Sequence, residues 1–130
     1  MSFDYGTAFS RNIGWVTVAE QAALRGKRIA IAGLGGVGGV HLLTLARLGI
    51  GNFTVAEFDS FDLVNFNRQV GASMTTLGRP KLDVMMEQAL AINPGLRDFF
   101  ATHPHCRLVN HYGPTETHVV TAHTLSGDPL

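Results

Sequence analysis

The sequence predicts an α/β fold built on a small parallel sheet, and three observations carry the prediction. RIAIA at 28–32 is a short, largely apolar run containing two β-branched residues, and it stops at glycines. A nearly uninterrupted apolar stretch at 37–48 reads as a helix, which Gly49 and Gly51 end. NFTVAE at 52–57 reads as a second strand, with acids at its carboxyl end. Strand, helix, strand is the pattern of a parallel crossover unit.

In chain order, residues 1–10 form a lead-in. Residues 11–25 carry Ile13, Val16, Ala19, Ala23 and Leu24 at roughly helical spacing, which predicts a first helix despite Gly14. RIAIA is expected to be a strand buried on both faces. The helix at 37–48 has little polar relief and is expected to be sandwiched. Residues 59–67 are polar and aromatic and read as irregular. Pro80 suits the start of a helix, and 81–92 follows as that helix. Pro94 ends it by disfavouring helical geometry at Asn93. Beyond residue 97, CRLVN and THVVTAHTL read as strands around a turn, HYGPTE. Five of the six histidines fall between 103 and 123, so the composition changes near residue 96. The expected organisation is a nucleotide-binding part at 1–95 and a β-rich extension at 96–130 that packs as extra strands.

The totals narrow the function. A domain of 130 residues buries about two-thirds of its unfolded surface. Ten basic and ten acidic residues cancel, which gives no electrostatic case for nucleic acid or an anionic membrane. Cys106 is the single cysteine, so no intramolecular disulfide forms. The first ten residues lack the basic start and apolar run of a signal peptide, and no apolar run is long enough to span a bilayer. The expected location is the cytoplasm.

The turn after RIAIA reads Gly33-x-Gly35-x-x-Gly38. The first glycine permits a tight exit from the strand. The second lets backbone approach a phosphate, and the third lets the helix pack closely on the sheet. Free N–H groups and the helix dipole favour an anion there. Glu57 or Asp59, at the end of the second strand, is placed to accept hydrogen bonds from ribose hydroxyls. These features describe a Rossmann-like core and leave NAD(P) and ATP both open.

The stretch DLVNFNRQVGASMTTLGRPK separates the two. Arg68 offers a planar fork and Lys81 a mobile point charge, a pair suited to neutralising a triphosphate. At these residues the chain resembles the ThiF/MoeB family, bacterial relatives of ubiquitin-activating enzymes. The resemblance covers about residues 11–94 and rests on GLGGVGG, EFDSFDLVNFNRQ and LGRPK, ending in INP. It implies ATP and Mg2+ as cofactors and a homodimer. It also implies adenylation of the C-terminal carboxylate of a ubiquitin-like sulfur-carrier protein. By position, it assigns Gly33, Gly35, Gly36 and Gly38 to the phosphate turn and Glu57 to the place of a ribose-binding Asp. Asn65, Arg68, Gln69 and Lys81 surround the phosphates, and Arg11 reaches a partner's ATP across the dimer. The family's magnesium-binding Asp, remaining strands and carrier groove come after INP and are not found here. The resemblance therefore implies a truncated core that keeps ATP binding and is not expected to sustain carrier adenylation.

The tail resembles a fragment of the adenylation domain of nonribosomal peptide synthetases, on NHYGPTETHVV at 110–120. That resemblance implies adenine stacking by Tyr112, a phosphate contact by Thr115 and a magnesium contact by Glu116. The bland reading is a turn between two strands. HPHC at 103–106 has no recognised metal spacing, and no metal-ligating set is expected. Three further readings stay open: an interaction or dimerisation module without catalysis, an NAD(P)-binding domain and a synthetase fragment.

Overall fold

The computed structural model describes residues 2–96 in full and, beyond them, the backbone of strands at 98–101, 108–110 and 119–122. The parallel sheet has three strands: β1 (Arg28–Ala32), β2 (Asn52–Ala56) and β3 (Asp98–Ala101), in that order. Arg28 aligns with Asn52, and Asn52 with Asp98. The crossovers are α3 (Gly38–Leu48) and α4 (Lys81–Ile92), which pack against each other. Right-handed crossovers between successive strands place both helices on one face of the sheet.

The core forms between that face and the helices. Phe53 and Val55 from β2, Leu42 and Ala46 from α3, and Val84, Met85 and Ala89 from α4 form one buried cluster. Ile29 and Ile31 pack against it, while Arg28, Ala30 and Ala32 are exposed on the other face. The expectation that β1 is dry on both faces is thus corrected: it alternates, because both crossover helices lie on the same side. The sandwiched α3 is corrected likewise. Val40, His41, Thr44 and Arg47 form an open face on it.

The first predicted helix starts later than expected. Residues 5–8 form a short α1 (Tyr5–Ala8), and Ser10–Asn12 form a 3-10 turn. The chain then reverses around Gly14, whose φ is 113°. Only after Thr17 does α2 (Val18–Gly26) begin. The Thr17 hydroxyl accepts from the Glu20 N–H, and the Glu20 carboxylate accepts from the Thr17 N–H. This reciprocal cap satisfies two otherwise unpaired donors and fixes the start. The N-terminal elements lie at the far end of α3. Tyr5 Oη donates to the Gly49 carbonyl at 2.7 Å, and Gln21 and Asn12 donate to that of Leu48 at 2.9 and 3.2 Å. These side chains satisfy carbonyls that the helix end leaves open.

The end of α3 at Gly49 (φ 100°), the start of α4 after Pro80 and its stop at Asn93 all fall where the sequence predicts. In the tail, β4 (Leu108–Asn110) and β5 (Val119–Ala122) pair antiparallel as a separate two-stranded sheet. The predicted turn HYGPTE, with Tyr112, Thr115 and Glu116, and the HPHC group at 103–106 lie outside the described residues. Among the described residues, no helix is long and apolar enough to cross a membrane.

Candidate functional site

The carboxyl ends of β1 and β2 open into a cavity of about 510 Å³. Its walls are the glycine turn, the start of α3, residues 56–59 and Lys81. A crevice outside the strand ends is where open α/β sheets bind their ligands.

Gly33 leaves β1 with φ 88°, donating its N–H to the Ala56 carbonyl at 2.8 Å. Gly38 lies so close to the Gly33 carbonyl that a Cβ there would overlap it. This contact folds the turn back and aims the start of α3 at the cavity. No described residue accepts from the N–H groups of Gly36, Val37 or Gly38. Three unpaired donors at a helix N-terminus make a nest for an anion.

Residues 59–80 fold over this turn, and their ends are tied together. The Phe61 N–H donates to the Arg79 carbonyl at 3.0 Å, and the Gly78 N–H to that of Phe61 at 2.9 Å. The Lys81 N–H donates to the Asp59 carbonyl at 2.9 Å. Closed in this way, the loop brings Arg68 and Gln69 onto the glycines. A Cβ built on Gly36 would lie 3.4 Å from Arg68 Cγ, and one on Gly35 would lie 3.5 Å from Gln69 Nε2. The Arg68 guanidinium is exposed and donates to the Val64 carbonyl and Asn67 Oδ1 through one nitrogen, Nη1, at 2.9 and 3.0 Å.

Lys81 is the most telling residue. It is only 6% exposed, lines the cavity, and has no carboxylate partner among the described residues. The ring of Phe61 lies 5.8 Å from its ammonium. A buried cation without a counter-charge is costly unless an anion completes the site. Gln69 Oε1 is also buried and has no hydrogen-bond partner. Lys81 and the bare glycine backbone fit a polyphosphate, whereas Gln69 Oε1 is an acceptor and adds nothing to holding an anion.

The structure separates the other expected residues. Glu57 and Asp59 both line the cavity. Asn65 does not; it is buried, and its Oδ1 accepts the Asp62 N–H at 2.8 Å, capping the 3-10 turn Leu63–Asn65. Arg11 sits beside Asn12 at the far end of α3, an eleven-residue helix roughly 16 Å long. It does not border its own chain's cavity. Among the described residues, no group of three metal-ligating side chains converges. Leu34 is a functional contributor that sequence reading passes over, because its part is played by a backbone N–H. That donor binds Glu57 Oε1 at 2.9 Å.

The fold defines a Rossmann-like α/β core with an open cavity at the carboxyl ends of its strands. The model of the ThiF family matches residues 9–111, and the chain belongs to that family. The match crosses residue 96 and includes β3, the third strand of the parallel sheet. The synthetase resemblance of the tail is not supported, and the family part extends past the expected limit near 94.

The chain is 37% identical over 86 residues to the tRNA threonylcarbamoyladenosine dehydratase of Bacillus subtilis, covering 66% of this chain and 34% of that one. It is 40% identical over 74 residues to the molybdopterin-synthase adenylyltransferase of Escherichia coli, covering 57% and 30%. A crystal structure of the E. coli tRNA N6-threonylcarbamoyladenosine dehydratase in complex with ATP superposes with a TM-score of 0.73. There the identity is 30%, with 78% of this chain and 41% of that chain covered. The chain thus spans about a third of the length of these curated relatives.

Proposed function

We propose that this chain is an ATP-binding module whose chemistry is adenylyl transfer to a carboxylate. The observation that carries the reading is Lys81, buried and unpaired at the mouth of a glycine-lined cavity. NAD has a diphosphate and asks less of the site. A third phosphate gives Lys81 and Arg68 a partner each, beyond the charge that the turn amides hold. The ATP and AMP complexes of the dehydratase neighbours support the same choice.

In this reading the amides of Gly36, Val37 and Gly38 hold the phosphates from the helix side. Lys81 holds them from the loop side, and Arg68 swings its free guanidinium nitrogen over them. The carboxylate oxygen of the acceptor attacks the α-phosphorus, forming an acyl-adenylate as pyrophosphate leaves with the bridging oxygen. Lys81 and Arg68 offset the charge that builds on that leaving group. A magnesium ion accompanying the triphosphate would offset part of its charge beside Lys81 and Arg68. Asp62, on the loop after β2, uses Oδ1 to cap the Leu63 N–H at 2.6 Å.

The acceptor is a C-terminal carboxylate of a ubiquitin-like sulfur carrier if the chain follows its adenylyltransferase relative. It is a tRNA-borne group if the chain follows the dehydratases. The balanced charge of the 130 residues favours the protein acceptor.

Calorimetry with ATP–Mg and NAD side by side tests the reading. ATP should bind with clear preference, and Arg68→Ala should weaken it roughly tenfold without altering the thermal melt. Equal ATP affinity in variant and parent would remove Arg68 from the site; a preference for NAD would overturn the whole reading.

Arg11 enters this site only from a second copy, and an apolar surface beside it supports such an arrangement. Trp15 is 93% exposed, next to exposed Ile13 and Val18 and a cavity of about 250 Å³ that Tyr5, Phe9 and Ala22 help to line. Trp15→Ser is therefore expected to shift sedimentation toward the monomer and to lower ATP turnover with it. An unchanged sedimentation coefficient would dismiss this face as the interface.

A further inference from the structure

β1 is an edge strand: β2 flanks it on one side, and the parallel sheet puts no strand on the other. Successive residues of a strand turn their backbone groups to opposite sides. The Gly33 N–H, just past β1, points to β2, where it donates to the Ala56 carbonyl. By that alternation Ile29 and Ile31 face β2, and Ala30 and Ala32 turn their N–H and C=O groups to the free edge. Both alanines are exposed, and among the described residues no group outside the sheet bonds to them. An open row of donors and acceptors along an edge is a template for another strand.

The chain's own tail comes to this edge. Cα atoms of β5 (Val119–Ala122) lie within 8 Å of those of β1. Sheets stacked face to face stand about 10 Å apart, and paired strands about 5 Å. β5 thus lies beside β1 rather than over its face, while its ladder bonds go to β4. In doubly wound sheets the strand on this side of the first is the fourth in chain order. Here a hairpin holds that flank. The ThiF match stops at residue 111, so β5 belongs to a segment of this chain beyond it.

We propose that the β4–β5 hairpin is an edge cap. β5 stands against the open backbone groups of Ala30 and Ala32 and keeps a second copy of the chain from pairing there. The run Val119, Val120, Thr121 is β-branched throughout, which suits a place beside a strand. Four residues held in a hairpin also blunt the edge without offering a long new one. The cap acts whatever the cavity binds.

Two measurements on the full chain test the placement and the role. For the placement, a nitroxide is attached to Thr121→Cys, with the single cysteine removed as Cys106→Ser. Its effect on amide resonances falls steeply with distance, and β3 lies two strand spacings, about 10 Å, from β1. Ala30 and Ala32 should therefore broaden several-fold more than Phe99 and Phe100. Equal or stronger broadening in β3, or none in the sheet, would overturn the placement. For the role, Val120→Pro with Thr121→Pro removes two N–H groups and ends strand pairing in β5. Sedimentation should then report about twice the parent's mass, as expected of one bared edge pairing with another. Adding Ala30→Lys, a charge on that edge, should return the parent's mass. A proline variant that sediments like the parent overturns the cap. So does an association that A30K leaves in place, since it would come from the loosened hairpin and not from the edge. The label leaves β5 without proline, so the placement is decided even if the proline variant fails to fold.

Discussion

Lys81→Met should weaken ATP binding about a hundredfold and, in the same protein, raise the melting temperature of the ligand-free fold. The two effects have one cause. Lys81 lies at 6% exposure with no described counter-ion. Desolvating an ammonium costs free energy that only an anion in the cavity restores. Methionine has a similar length and no charge, so it fills the space and removes the cost. The gain in stability is on the order of 1 kcal/mol, worth a few degrees for a domain of this size. The loss in ATP affinity is about a hundredfold, since a charge-assisted contact in a partly dry cleft is among the stronger polar interactions. Isothermal titration and a thermal melt on the same sample check both signs. A variant that melts lower than the parent, or that binds ATP equally well, would show that Lys81 is structural.

Gly38→Ala should leave the chain unable to fold. The added methyl group would occupy the space of the Gly33 carbonyl and press within 3.3 Å of Ile31 Cγ2. Neither backbone atom can retreat. Gly33 is fixed by its bond to Ala56, and Gly38 opens the helix that carries Leu42 and Ala46 into the core. Overpacking against backbone at the heart of the sheet costs about 4 kcal/mol or more, a large part of the stability of a small domain. Gly26→Ala is the control. It ends α2, and a Cβ there meets nothing within 4 Å. Its effect should be a gain of about 0.5 kcal/mol through the unfolded chain. Circular dichroism and urea melts separate the two. A folded Gly38→Ala protein with parental stability would mean that the turn is looser than described.

Glu87 gives a smaller effect that is readable in pH. Its Oε1 and Oε2 accept from Arg79 at 2.5 and 3.2 Å, and that hydrogen bonding holds its carboxyl below the usual range. The bond spans the start of α4, close to Lys81. Its contribution is therefore present above the ordinary carboxylate pKa and fades as pH falls through the lowered one.

Several features of the site were legible because they depend on local chemistry. The spacing of Gly33, Gly35 and Gly38 specifies a turn that only glycine can make beside a strand end, wherever the rest of the chain goes. Pro80 followed by an apolar-periodic run fixes the start of α4, and with it the position of Lys81. Thr17-x-x-Glu20 was equally local, and it marks the true start of α2 against the looser apolar spacing from residue 11. Other features were hidden because their partners are remote. Nothing near Glu57 in sequence says that its carboxylate is taken by Leu34. Nothing near Asn65 separates a cap from a phosphate ligand, since the residue type suits both. The exposure of Ala30 and Ala32 was hidden for a similar reason. An apolar strand reads the same with one face covered or two.

The sequence by itself determined a parallel α/β unit with a tight glycine turn at the end of its first strand, and it singled out Arg68 and Lys81 as candidate cations for that turn. These are properties of short stretches whose backbone geometry and charge depend on their own residues. Only the tertiary structure decided which polar groups are already satisfied and which still await a partner. Hydrogen-bond capacity is finite, and whether Glu57, Asp59, Asn65 or Lys81 has any left depends on which distant backbone groups the fold brings against it.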